Sequence, residues 1–204
     1  MNEQNNSHLP LKVKSVCVYC GSSNNVPDVY KQAAHDLGVL LAKEGVKMIY
    51  GGGITGLMGI TANACAKAGG YVVGITTNHL KNYEGEHESI AEFHVVESMH
   101  QRKLKMFELS DAFISLPGGL GTLDESFEIM TWKQIGLHQK NIIFVNINNY
   151  WDPLINHLLA NVLQNGFMRE EDRSLFQMVE TVDEILKALS APPKGAIDFV
   201  AKWG

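Results

Sequence analysis

Residues 112–135 read AFISLPGGLGTLDESFEIMTWKQI. The run Ala112 to Leu116 is apolar almost throughout and too short for a helix, which describes a strand buried on both faces. The loop Pro117 to Thr122 holds three glycines, so the backbone can turn sharply or approach a ligand closely. An apolar pattern at helical spacing then runs to about Leu137. Buried strand, glycine loop and helix in succession make part of a βαβ unit, and units of this kind in series require a parallel sheet covered by helices.

The same order recurs on both sides of this stretch. Toward the N-terminus, Val13 to Tyr19 reads as a strand, Cys20 to Asn25 as a turn, and Pro27 to Lys43 as a helix closed by Gly45. Val46 to Tyr50 is a strand, Gly51 to Gly56 a second glycine loop, and Leu57 to Ala68 a helix stopped by Gly69 and Gly70. Tyr71 to Thr76 and Phe93 to Val96 are strands on either side of a polar stretch, Asn78 to Ser89, expected as an exposed loop. Met99 to Leu109 is a helix. Beyond residue 137, Asn141 to Ile147 is a strand, and Trp151 to Gln164 and Val182 to Leu189 are helices. The expectation is an α/β, Rossmann-like three-layer fold with a mainly parallel sheet. It forms one domain over residues 13–190, between a polar N-terminal tail (1–12) and a C-terminal tail (191–204). In such sheets ligands sit beyond the carboxyl ends of the strands, where both glycine loops fall.

Composition narrows the function. The 204 residues are 45% hydrophobic and 19% charged, ordinary for a globular chain. A net charge of −5 offers no broad surface for a nucleic acid or an anionic membrane, so any phosphate must be met locally. No apolar run spans a bilayer, and the opening MNEQNNSHLP lacks the features of a signal peptide; a cytoplasmic location is expected. Cys17 and Cys20 form a C-x-x-C with no second ligand pair, and the eight histidines show no metal spacing. Neither a metal nor a cofactor is expected.

The loop Gly51-Gly52-Gly53-Ile54-Thr55-Gly56 matches G-x-G-x-x-G. The following strand ends in Thr76, Thr77 and Asn78, without the carboxylate that a dinucleotide ribose requires, so the loop either approaches a smaller ligand or is a tight turn. In Pro117 to Glu125, amides at a helix start, the Thr122 hydroxyl and the helix dipole can meet an anion. Thr122 and Glu125 also fit a capping box. Arg102 and Lys103 stand early in a helix, where cations oppose the dipole, which is a reason to expect an anionic partner, although a solvated basic face is the commoner meaning of an Arg-Lys pair.

Ser98-Met99-His100-Gln101-Arg102-Lys103 together with Pro117-Gly118-Gly119-Leu120-Gly121-Thr122-Leu123-Asp124-Glu125 resembles the paired signature of the LOG ("lonely guy") family, the cytokinin riboside 5′-monophosphate phosphoribohydrolases. Cys20-Gly21-Ser22-Ser23, Gly51-Gly52-Gly53 with Gly56-Leu57-Met58-Gly59, and Thr131-Trp132 extend the likeness to about Val16 through Gly166. The resemblance implies a hydrolase, without cofactor, that cleaves the N-glycosidic bond of an adenosine 5′-monophosphate, N6-modified or plain, to free base and ribose 5-phosphate. It implies Arg102 and Glu125 as the catalytic pair, and Glu84, Lys103, Gly118, Gly119, Leu120, Gly121, Thr122 and Thr131 as substrate contacts, with Ser22, Gly52 and Gly53 from the other two loops. A homodimer packed through Met99 to Leu109 and Phe127 to Leu137 is implied as well. Leu120 replaces a frequently aromatic residue and Asp124 a frequent glutamate. The older label of lysine decarboxylase finds no recognisable pyridoxal-phosphate lysine here. Rival readings are an adenosine monophosphate nucleosidase, and a nucleotide or molybdenum-cofactor carrier of similar fold without turnover.

For the hydrolytic reading, Glu125 is expected to be ionised by the helix dipole and to face the oxocarbenium and a water. Arg102 is expected to hold Glu125, the ribose or the phosphate.

Overall fold

The computed structural model describes residues 12–84 (83 and 84 without their side chains), 87 and 89–193. Seven parallel strands form one sheet: β1 (Ser15–Tyr19), β2 (Lys47–Tyr50), β3 (Val72–Thr77), β4 (Glu92–Val96), β5 (Ala112–Ser115), β6 (Asn141–Val145) and β7 (Gln177–Val179), in the order β4-β3-β2-β1-β5-β6-β7. β1 pairs with β2 on one side (Val16 beside Met48) and with β5 on the other (Val16 beside Ala112). The chain therefore leaves β1 and β5 in opposite directions, and a crevice opens between the loops that follow them.

The helices are α1 (Asp28–Lys43), α2 (Gly56–Lys67), α3 (Asn78–Glu84), α4 (Met99–Glu108), α5 (Leu120–Gln134), α6 (Ala160–Gln164) and α7 (Ile185–Ser190). Strand side chains alternate, and each face fills its own core. Val16 and Val18 join Leu37 and Leu41 of α1 with residues of α2 and α7, whereas Cys17 and Tyr19 join Met106 of α4, Ile129 of α5 and Trp151. The C-x-x-C thus divides between two cores: Cys17 lies in one and Cys20 in the other, both buried and free. Burial pushes both thiols well above their usual range, so neither is a nucleophile at neutral pH.

Three local expectations are corrected. The first part of the polar stretch Asn78 to Ser89 is not a loop: Asn78–Glu84 forms α3, whose first turn is held by Leu80 N–H donating to Thr77 Oγ1 at 3.3 Å. The loop before α5 is shorter than Pro117 to Thr122, because Gly119 is already the N-cap in an extended conformation and the helix begins at Leu120. The helix expected from Trp151 is a π-helical stretch, Pro153–Leu159, running into the short α6. Strand β7 was not legible: three residues, two of them half-buried, carry too little pattern. The tails 1–12 and 191–204 lie outside the described residues except for positions 12 and 191–193.

Candidate active site

At the crevice the three loops are tied together by two backbone bonds and one to a side chain. Gly21 N–H donates to Pro117 O at 3.1 Å, Leu57 N–H to Gly21 O at 2.9 Å, and Gly56 N–H to Asn24 Oδ1 at 2.7 Å. Gly118 is required by crowding: a Cβ there would collide with the side chain of Thr122 and the amide of Gly21. Gly119 caps α5 without a side chain, and the α5 residues Leu120, Gly121 and Thr122 are the ones whose amides a helix leaves without an intrahelical partner. Thr122 is buried at the third position of α5, so it is not the N-cap; Glu125 does not turn back to close the helix end either. The capping-box alternative is therefore excluded.

Glu125 faces α4 instead. Ser98 caps α4 by accepting from Gln101 N–H at 3.2 Å, and one residue on Arg102 turns inward until it is 6% exposed. Its guanidinium is fixed from three sides: Nε donates to Ile75 O of β3 at 3.0 Å, Nη2 to Gly51 O after β2 at 3.3 Å, and Nη1 to Glu125 Oε1 at 3.0 Å. Gly51 must lack a side chain, because a Cβ there would occupy the space of Arg102 Nη2. Charge-assisted bonds in a site this dry are strong, and the fork holds Glu125 in one place. Burial raises the Glu125 carboxyl above its ordinary value, against the opposing pull of the Arg102 charge and hydrogen bond. This corrects the expectation of a carboxylate governed by the helix dipole: desolvation is the larger effect.

Lys103, the second cation of the pair, is bound to Asp124 at 3.1 Å and Glu128 at 3.0 Å. Burial alone would lower its ammonium, but hydrogen bonds to those carboxylates, together with their charges, carry it above the usual lysine value. Two cations thus face three carboxylates, so the cluster is not a basic patch. An anion at this site must be met chiefly by backbone amides.

The structure brings Arg102, Lys103, Glu125 and Thr122 to the rims of α4 and α5, with Gly118, Gly119, Gly121 and the 86% exposed Leu120 at the mouth. Ser22 is exposed on the loop after β1, while Gly52 and Gly53 are buried behind Arg102's partner Gly51, Gly52 with φ of 80°. Glu84 ends α3, and its side chain lies outside the described residues. Thr131 is not brought to this group within one chain: it is exposed, bonded to Phe127 O at 2.8 Å, and borders a separate apolar hollow beside Phe167. Three contributors were missed by sequence reasoning. Gly51 was not separable from its glycine neighbours, Asn24 sat in a stretch read only as a turn, and Tyr150 follows β6 at a carboxyl end where a crevice residue could have been sought. Tyr150 borders a crevice of about 300 Å³ with Ser22, Ser23, Tyr30, Leu57 and Gly119.

Among the described residues, no group of three or more His, Cys, Asp or Glu is placed to hold a metal ion, and no helix is long and apolar enough to cross a membrane. Residues 58–189 match the family model described as "possible lysine decarboxylase". A cytokinin riboside 5′-monophosphate phosphoribohydrolase of Rhodococcoides fascians is 39% identical over 180 residues, covering 88% of this chain and 90% of that protein. One from Arabidopsis thaliana is 38% identical over 178 residues, covering 87% and 82%. Among solved structures, a molybdenum cofactor binding protein of Rippkaea orientalis superposes with a TM-score of 0.66 at 22% identity, over 87% of this chain and 95% of that one. That likeness is one of fold.

Proposed function

The chain belongs to the family of the cytokinin riboside 5′-monophosphate phosphoribohydrolases, and from that membership we infer that it is a hydrolase releasing the free base from a nucleoside 5′-monophosphate. The observation that carries the reading to this chain's own residues is the buried 3.0 Å pair of Arg102 and Glu125 beside an uncapped helix start. In the proposed reaction the 5′-phosphate lies on the amides of Gly118 to Thr122, with the hydroxyls of Thr122 and Ser22 as further donors. Binding there places the ribose over Glu125. The C1′–N bond breaks with its electron pair passing to the base, positive charge spreads over C1′ and the ring oxygen, and Glu125 faces that charge. A water adds its oxygen to C1′ and gives one proton to Glu125, which returns it to solvent or to the departing base. A carboxyl raised by burial is a stronger base than an ordinary carboxylate, which suits it to take a proton from water. Arg102 is assigned to positioning Glu125, since two of its three bonds hold it to the sheet. Lys103 orients Asp124 and Glu128 at the rim, and Glu84 at the end of α3 is assigned to the base.

Lys103 also argues against a decarboxylase of the imine-forming kind. Such a lysine must present a free amine, and two carboxylates hold this one protonated.

The domain is proposed as one unit over residues 13–190, working in the cytoplasm as a homodimer. The exposed Met99 and Leu104 of α4, with Ile135 and Leu137 after α5, support packing through those helices. In such a dimer Thr131 would contribute to substrate binding from the surface between subunits. The base, N6-prenylated or plain adenine, is settled by experiment: purified protein is incubated with adenosine monophosphate and with its N6-isopentenyl analogue. Release of base and ribose 5-phosphate in equal amounts is the expected result. Tight nucleotide binding without release would instead establish a carrier.

A further inference from the structure

We propose that Tyr150 is a positioning residue for the anion site: its hydroxyl fixes the Gly118–Gly119 peptide so that the Gly119 N–H faces the 5′-phosphate. The inference rests on the phosphoribohydrolase reading and adds a residue to it. Tyr150 Oη donates to Gly118 O at 2.7 Å. The peptide that follows is trans and planar, so its C=O and N–H point in opposite directions. With the carbonyl turned to Tyr150, the Gly119 N–H is turned away from it, and because Gly119 is the N-cap of α5 this N–H adjoins the amides of Leu120, Gly121 and Thr122 that the helix start leaves unpaired. Glycine on both sides leaves that peptide otherwise free to rotate, so an outside group is needed to set it.

The surroundings of Tyr150 are built for such a task. Asn148 and Asn149 both adopt left-handed conformations, with φ of 53° and 59°. Non-glycine residues hold that geometry in succession only where neighbours enforce it. Enforcement comes from Asn146, whose Oδ1 accepts from Trp151 N–H at 2.8 Å and whose amide donates to Asp152 at 2.9 Å. The ring is then clamped edge-on by Tyr30 at 5.6 Å and Trp151 at 4.9 Å. A strained turn, a polar anchor and two aromatic contacts thus converge on one hydroxyl at the phosphate loop.

The test is Tyr150→Phe, which keeps the ring contacts and removes only the donor; a thermal melt within a few degrees of wild type confirms folding. Losing one hydrogen bond that orients an amide should raise KM for the nucleotide about three- to tenfold while kcat changes less than about twofold. Affinity for ribose 5-phosphate, measured by calorimetry, should fall by the same factor, and turnover of the unphosphorylated nucleoside should not change. An unchanged nucleotide KM and ribose 5-phosphate affinity would overturn the proposal. So would an equal loss on nucleotide and nucleoside, which would mark a general structural role. Should wild-type protein bind ribose 5-phosphate without hydrolysing any nucleotide, the enzymatic reading fails, while the calorimetric comparison still decides the role of Tyr150.

Discussion

Replacing Glu125 by glutamine removes a charge and almost no volume. The guanidinium of Arg102 retains its bonds to Ile75 O and Gly51 O, and the glutamine Oε1 can accept the third. Breaking a buried pair costs about 3–5 kcal/mol when it strands a charge with its donors unpaired, but here all three oxygen acceptors around the guanidinium persist. The stability cost should therefore stay below about 2 kcal/mol, a fall in Tm of no more than roughly 8 °C for a chain of this size. Its pH dependence has a definite sign. A carboxyl raised in the folded state contributes stability below the unfolded value of 4.5 that is lost as pH rises through the folded value, so the deficit of Glu125→Gln should shrink from pH 4.5 to pH 7.5. Activity should respond very differently. Losing the charge that faces the developing cation removes about 2.7–4 kcal/mol of transition-state stabilisation, a loss of about 10²–10³ in kcat. Base release followed by absorbance, beside melts at both pH values, reads both quantities. Wild-type turnover in a folded variant would refute the role given to Glu125.

Other perturbations follow from the same contacts. Arg102→Gln removes the charge and hydrogen bond that lower the Glu125 carboxyl, so the acid limb of the kcat/KM profile should move to higher pH with at least a tenfold loss; an unmoved limb would contradict the coupling. Gly51→Ala should reproduce that loss in a folded protein, because its Cβ would displace the guanidinium, and a circular dichroism spectrum beside the assay checks both halves. Gly121→Ala meets open space inside a helix and should raise Tm, by the equivalent of up to about 1 kcal/mol. Lys133 is 1% exposed on α5, and burial lowers its ammonium to about 8. Lys133→Met should stabilise by about 1–2 kcal/mol at pH 7, allowing for partial solvent screening, and the gain should vanish as pH climbs from 8 past 10.5; a pH series of denaturant melts checks this.

The sheet was legible because its strands are apolar on both faces and separated by glycine or helical spacing, as in Val16 to Tyr19 and Ala112 to Leu116. Elements that depend on context were not. α3 forms from a polar stretch because Thr77 anchors its first turn, and β7 exists because β6 offers an edge. Within the site, the segment pair of Arg102 and Glu125 could be named from the local motifs, but not their mutual geometry, which is set by the carbonyls of Gly51 and Ile75 far away in sequence. Lys103 shows the limit most clearly. Its place early in a helix suggests an anionic partner without identifying it; Asp124 and Glu128 pair with it in the fold, and nothing in the spacing of two separate segments reveals that.

The account makes phosphate capture by loop amides the step that places the glycosidic bond over Glu125. Its most direct test is the ratio of kcat/KM for adenosine 5′-monophosphate to that for adenosine, on one preparation at one pH. A preference of about a hundredfold or more for the monophosphate is expected, as remote binding energy spent on orientation would give. Equal efficiency on the two compounds would contradict it.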